Sequence, residues 1–300
     1  MPAVFVENPP APGTPAWAQT VSASKLPALL GLSQHETPYS LWAQATGRSE
    51  GVAPDPEIID RGNVVEPGLL NWVGGHLPEG QYVSPGGTFY VSRNPAHTAT
   101  PDGIVWDKDN HLVALVECKT AANGKEWGQP GTAEIPPAYL AQCAWQMHVT
   151  GARLVYVPAL VNPGIRLNLW CVMWEDVADQ IPALVHAADA WLACVDTDTP
   201  PDFDGHEVTW AAARDVHRHE HPDIDPDGIT ALDAWDAHEL VAAKAAKKAA
   251  DARLNQAQAV ALTAAAGART LVDESGAVIA RVTARRTKTG EPGRPYLTYA

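Results

Sequence analysis

Three β-prone runs crowded between residues 88 and 119 constrain this chain most. They read "TFYVS", "DGIVW" and "HLVALVECK", with short polar breaks between them. Aromatic and β-branched residues at that density suit a pleated surface buried on at least one face. The "DKDN" between the second and third runs has the chemistry of a hairpin turn. Helical patterns lie upstream. "VSASKLPALLGLS" reads as a short helix with a serine cap at Ser22 or Ser24 and Gly31 as its stop. In "TPYSLWAQATG" Thr37 caps, Pro38 takes the first helical position and Gly47 ends the helix. "DPEIIDRGNVVEPGLLNWVGG" is a third helix, with Pro67 expected to bend it.

Downstream, "PPAYLAQCAWQMHVTG" predicts a helix with Leu140, Cys143, Ala144 and Met147 on one apolar face. Two strands follow, "RLVYVPALV" and "IRLNLWCVMW", then the helix "EDVADQIPALVHAADAWLACV". This order predicts an α/β fold, a mixed central sheet flanked by helices, over about residues 20–200. Residues 1–19 are proline-rich and read as a loose tail. Residues 201–300 read as an appendage: a polar linker, a long alanine-rich helix ending at Gly267, a hairpin turning at Glu274-Ser275-Gly276 and an edge strand "RPYLTY".

The chain of 300 residues carries 35 acidic and 21 basic side chains, a net charge of −14. That excludes a protein that coats nucleic acid over its whole surface, but not a local basic groove. The cysteines Cys118, Cys143, Cys171 and Cys194 are scattered, as buried thiols of a reducing compartment would be. No apolar run reaches the length of a membrane span, and the N-terminus lacks the pattern of a signal peptide. The expected location is therefore the cytoplasm.

Chemistry concentrates in "TPDGIVWDKDNHLVALVECKT". Side chains alternate along a strand, so Glu117 and Lys119 share a face and Cys118 takes the other. Asp102 opens one arm of the hairpin and Glu117 closes the other, which makes them neighbours. Two converging carboxylates repel unless a cation lies between them. Oxygen ligands, to which the Cys118 carbonyl can add one, favour Mg²⁺ or Mn²⁺. Lys119 can then orient a water or stabilise charge on a phosphate. Taken singly, P-D-G is an ordinary turn and E-x-K an ordinary strand end.

The combination resembles the signature of the PD-(D/E)XK nucleases, and within them the phage-type (lambda-like) alkaline exonucleases and YqaJ-like viral recombinases. "SASKLPALLGLSQHETPYSLWAQATG", "RGNVVEPGLL" and "YLAQCAWQMHVTG" extend the likeness over about residues 20–200. The resemblance implies a restriction-endonuclease-like core and a Mg²⁺-dependent exonuclease, with Mn²⁺ as a substitute. It implies action on double-stranded DNA ends in phage recombination or replication, in the host cytoplasm. An annealing protein for single strands is the implied partner, and related exonucleases can form ring-shaped trimers. By the resemblance Asp102 and Glu117 are metal ligands, Lys119 the catalytic lysine and Glu66 a helix acid that assists metal or water. Gln142 and Tyr139 belong to a glutamine helix facing the site; Gln146 fits that helix equally as packing at the edge of the core. Ser24 matches a serine near the terminal phosphate of DNA, or serves as a helix cap. Arg61 can meet a phosphate or lie in solvent. One departure stands out: related enzymes can carry an arginine about two turns before that serine, where this chain has "PAWAQTV" with Trp17. A related endonuclease, a RecB/Cas4-like nuclease and a non-catalytic protein that binds DNA ends are the alternatives. A Cas4-like iron–sulfur site lacks its late cysteines.

Other motifs are weaker. His217, His219 and His221 in "HRHEHPD" read as a solvated linker rather than a zinc site. "DIDPDG" starts like a calcium loop, but Ala234 stands where the closing glutamate belongs. Arg281, Arg285, Arg286, Lys288 and Arg294 collect positive charge near Tyr296 and Tyr299. Phosphate contact, through Arg285 and Arg286 above all, or an ordinary basic surface are both open.

Overall fold

The hairpin expected at residues 102–119 is the middle of the fold. The computed structural model describes residues 3–11, 13–51, 53, 55–91, 93–162, 166–285, 291 and 293–299. The chain divides into two compact units, Met1–Ile224 and Asp225–Ala300. The first unit begins with β1 (Ala3–Phe5), α1 (Pro15–Ala18), β2 (Val21–Ser22), α2 (Leu26–Leu29), α3 (Pro38–Ala45) and α4 (Pro56–Gly74). Strands β3 (Gln81–Pro85), β4 (Phe89–Val91), β5 (Asn94–Ala99), β6 (Gly103–Asp107), β7 (Leu112–Val116) and β8 (Lys119–Ala121) follow. It closes with α5 (Pro137–Thr150), β9 (Leu154–Val161), β10 (Arg166–Met173), α6 (Trp174–Val177), α7 (Ile181–Asp196) and α8 (Glu207–Glu220).

The main sheet has the order β10-β9-β7-β6-β3, and β8 also pairs with β9. It is mixed, as expected: β7 and β8 run parallel to β9, while the other pairs are antiparallel. In the β6–β7 hairpin Gly103 faces Val116, Ile104 faces Leu115 and Val105 faces Ala114. Asp107 closes the turn, its Oδ1 accepting the N–H groups of Asp109 and His111 at 2.8 and 2.9 Å. Helix α4 covers one face, where Val73 packs with Val105, Ala114 and Val116. Helix α5 lies with the other core, which contains Leu115, Ile104, Cys143, Ala144, Trp145 and Met147. Pro137 starts α5 and Gly151 stops it, at a left-handed φ of 79° with its N–H bonded to the Met147 carbonyl.

Several elements depart from the sequence reading. "TFYVS" yields β4, which joins β1, β5 and β2 in a separate four-stranded sheet and not the main one. Part of the supposed tail is ordered structure: β1 pairs with β4, and α1 is a short helix. The expected serine cap is absent, because the chain enters α2 through strand β2 and Lys25, whose side chain makes no capping bond. The polar stretch after residue 200 contains α8, which includes His217 and His219, so the boundary near 200 falls short of the first unit's end. Helix α8 is held by contacts distant in sequence. Thr209 donates its hydroxyl to Thr37 Oγ1 at 2.8 Å. Arg48 joins Asp198 at 2.7 Å to Glu220 at 3.0 Å.

The second unit matches its expected elements. Helix α9 (Ala234–Ala265) is followed by β11 (Thr270–Val272), β12 (Val278–Thr283) and β13 (Tyr296–Tyr299), in the order β11-β12-β13. The β11–β12 turn closes through the Asp273 N–H bonded to the Ala277 carbonyl at 2.9 Å.

Two glycines let the strand before the hairpin come close to its neighbours. A Cβ on Gly86 would lie 1.7 Å from the Pro101 carbonyl oxygen, and the Gly86 N–H bonds to the Asp102 carbonyl at 2.9 Å. A Cβ on Gly103 would meet Leu70 Cδ2 at 2.6 Å. Gly86→Ala should destabilise the protein by about 1–3 kcal/mol through backbone overpacking. Urea unfolding measures this; an unchanged midpoint would contradict the packing described.

Candidate active site

The strand pattern breaks where the chemistry begins. Val116 faces Tyr156 and Lys119 faces Ala159, so β7 and β8 keep one register along β9. Between them Glu117 and Cys118 belong to neither strand. The Glu117 N–H still reaches the Tyr156 carbonyl at 2.9 Å. The Cys118 N–H turns instead to Asp102 Oδ2 at 2.7 Å. A backbone donor released from the sheet therefore fixes the aspartate one position before β6. Alternation holds through the break: Cys118 packs with the Val73 cluster, while Glu117 and Lys119 face α5.

Glu117 is 3% exposed, and both its oxygens are engaged. Oε1 accepts from Lys119 Nζ at 2.5 Å and from Gln142 Nε2 at 2.5 Å. Oε2 accepts from Gln146 Nε2 at 2.6 Å. Lys119 also donates to Gln142 Oε1 at 3.0 Å, and its ammonium lies 4.9 Å from the Tyr139 ring centroid. Burial opposes charge on Lys119. The Glu117 carboxylate, by charge and hydrogen bond, and then Asp102, outweigh it and hold the ammonium well above the usual lysine range. This lysine is a donor and a positive charge, not a base at neutral pH.

The acids outnumber it. Burial and then the Glu117 charge push the Asp102 carboxyl up to about 8, against the pull of Lys119 and the Cys118 N–H. Glu66, half-buried on α4, is raised by burial and then by Glu117. Glu66 adds to the field at Asp102 and at Cys118 as well. Three carboxylates thus share one partly buried region with a single lysine. The donor set is oxygen, which fits a hard divalent cation. The Cys118 and Cys143 thiols are pushed up by burial and by the nearby acids, so they stay protonated.

The structure brings Asp102, Glu117, Lys119, Gln142, Tyr139 and, electrostatically, Glu66 into one region. Ser24 is exposed, within 2.9 Å of Ser22 Oγ. It lines an open cleft beside Lys119 together with Lys125, Trp127, Tyr139 and Gln142. Arg61 is exposed on α4. Arg285 is exposed in the second unit, 6.0 Å from the Tyr296 ring centroid. Arg286 and Lys288 lie outside the described residues.

Sequence reasoning undervalued Gln146 and passed over Lys25. Lys25 is buried and donates to the carbonyls of Trp17, Ala18 and Thr20 at 2.7, 3.0 and 2.8 Å. Its ammonium lies 3.8 Å from the Trp17 ring centroid. Three carbonyls take all three of its protons, a geometry made for the charged form, although burial lowers its pKa to about 7. The Trp17 region is thereby committed to structure, with its cation turned inward. Among the described residues, Asp107, Asp109 and His111 are the group whose candidate metal-ligand atoms lie within 4.8 Å of one another. Asp107 there is already used by the turn, and His111 and Asp109 are exposed.

A mixed sheet that sets two acids and a lysine on adjoining strand ends, walled by a helix of glutamines, has the core of a nuclease. Within that class, residues 15–153 match the model of the YqaJ-like viral recombinase domain. That stretch contains every residue of the region just described. Among solved structures, an alkaline exonuclease from Laribacter hongkongensis is similar at 18% identity and a TM-score of 0.46, over 67% of this chain and 99% of its own. Its complex with dAMP is similar at the same identity and TM-score, over 67% of this chain and 96% of that one. No curated protein matches the sequence.

The raised Asp102 pKa sets a pH dependence. Folded Asp102 binds its proton up to about pH 8, whereas the unfolded residue releases it near about 3.9. Its contribution to stability is therefore complete below about pH 4 and is lost as pH rises towards 8. With a chelator present, the melting temperature of Asp102→Asn should gain on wild type between pH 5 and 8, by about 2–4 °C for each kcal/mol. Parallel pH curves for the two proteins would contradict the assignment.

Proposed function

We propose that the protein is a Mg²⁺-dependent exonuclease that hydrolyses phosphodiester bonds at the ends of double-stranded DNA. One observation carries the reading: the Asp102 and Glu117 carboxylates share one lysine, Glu66 adds its charge to theirs, and three acids against one lysine call for a cation. Asp102, Glu117 and the Cys118 carbonyl would hold the ion, with Glu66 beside it. Once bound, it would supply Lewis-acid stabilisation of the phosphate and a more acidic water.

The chain's own residues do the rest. Lys119 uses two donors on Glu117 and Gln142, which leaves a third N–H for the scissile phosphate or the attacking water. Gln142 joins Glu117 to Lys119, so the lysine and the acid move as one body. Asp102 is fixed by the Cys118 N–H before any substrate arrives. Tyr139 flanks the ammonium and, with Ser24 across the cleft, offers contacts for the DNA end. Arg61 and the Arg285–Arg286 stretch are candidate phosphate contacts on this reading. An acidic chain needs such local cations to hold a polyanion. The family resemblance supports a place in phage homologous recombination or replication in the host cytoplasm. It also supports an annealing protein as partner and a ring trimer as the assembly.

Linear, nicked and closed-circular DNA incubated with Mg²⁺ test the proposal. Wild type should degrade linear DNA progressively and leave closed circles intact. Glu117→Ala and Lys119→Ala should each lose roughly 10²–10³-fold or more in rate. Cutting of closed circles would make the protein an endonuclease. Binding of ends without cleavage in Mg²⁺ or Mn²⁺ would make it a non-catalytic end-binding protein.

A further inference from the structure

We propose that Gln146 is a positioning residue that fixes which oxygen of Glu117 is presented to the divalent cation, an inference that rests on the metal-site reading above. Gln142 and Gln146 are four residues apart on α5, so they stand on one helix face and reach the same carboxylate. Their tasks differ. Gln142 and Lys119 both donate to Oε1. A carboxylate offers about four acceptor sites, two per oxygen, so Oε1 is filled. Oε2 takes only the Gln146 bond, and its remaining lone pair is the one left for a metal. The direction of that lone pair follows from the rotation of the carboxylate, which the Gln146 amide holds.

The surroundings argue that this amide is kept for its donor. Gln146 is 0% exposed, among side chains such as Trp145, Met147 and Val149 that are themselves buried. Its Oε1 is buried with no hydrogen-bond partner among the described residues. An apolar side chain of similar volume would suit the rest of that pocket without leaving an orphaned acceptor. The amide orientation is also determined, because flipping it would set a carbonyl oxygen against a carboxylate. Unlike Gln142, Gln146 has no side-chain bond to Lys119 in the network, so its removal acts on Glu117 alone.

Mn²⁺ binding to the full-length, DNA-free protein tests this, read by calorimetry or by the electron paramagnetic resonance of free Mn²⁺. Gln146→Met keeps length and volume and removes the donor; Gln146→Leu is the second variant if the first does not fold. Loss of an outer hydrogen bond to a metal ligand should weaken Mn²⁺ binding roughly 10–100-fold. The control is Met147→Ala, which disturbs the same helix from its buried side: it should lower the melting temperature and leave Mn²⁺ affinity alone. Unchanged affinity in both Gln146 variants, or an equal loss in Met147→Ala, would overturn the positioning role. A wild-type protein that binds no Mn²⁺ would overturn the metal site itself, a distinct result.

Discussion

The fold depends on keeping one carboxylate out of water. Glu117 is 3% exposed at the centre of the sheet, and a buried charge of that kind is tolerated only when it is paired and hydrogen-bonded. Its partners come from two directions. Lys119 follows two residues later, and Gln142 and Gln146 descend from α5. That set exists only if α5 lies tight against the sheet and β7 and β8 keep a common register on β9. Helix α5 can lie so close because Ala141, Cys143 and Ala144 are small and buried. A core built from small residues is thus what lets two glutamines reach the acid.

The second dependence concerns the backbone. Continuous pairing through residues 117 and 118 would consume the Cys118 N–H in the ladder. Its release to Asp102 connects the start of one hairpin arm to the end of the other. The local fault in the strand is what converts a hairpin into a site. Burial, and then the charge of Glu117, push the Asp102 carboxyl there up to about 8 against the pull of the one lysine. On the proposed reading, fold stability and cation binding are coupled at this point, since a cation that balanced the acids would also relieve the folded state.

Much of this was legible in the sequence, for physical reasons. The two-residue period of a strand put Glu117 and Lys119 on one face, and the turn chemistry of "DKDN" set Asp102 beside them. Other features could not be read locally. Strands β3 and β5 ("QYVSP" and "NPAHTA") hold prolines and polar residues, and only their neighbours make them strands. Helix α8 buries only the small side chains of Thr209, Ala212 and Val216 in an otherwise polar stretch, and Arg48 and Thr37 hold it from far away in the chain. Gln146 fitted the glutamine helix facing the site and the edge of a core equally, because a polar residue in an apolar helix reveals its partner only in three dimensions. Lys25 carries no local signal of its role, which is to turn inward onto the carbonyls of Trp17, Ala18 and Thr20.

The central claim is that the hairpin edge is one cation site. Anomalous diffraction from Mn²⁺-soaked crystals tests it most directly. A peak is expected within coordination distance of the Asp102 and Glu117 carboxylates, with the Cys118 carbonyl as a further ligand. A peak confined to the exposed Asp107–Asp109–His111 turn, with none at Asp102 and Glu117, would contradict the account.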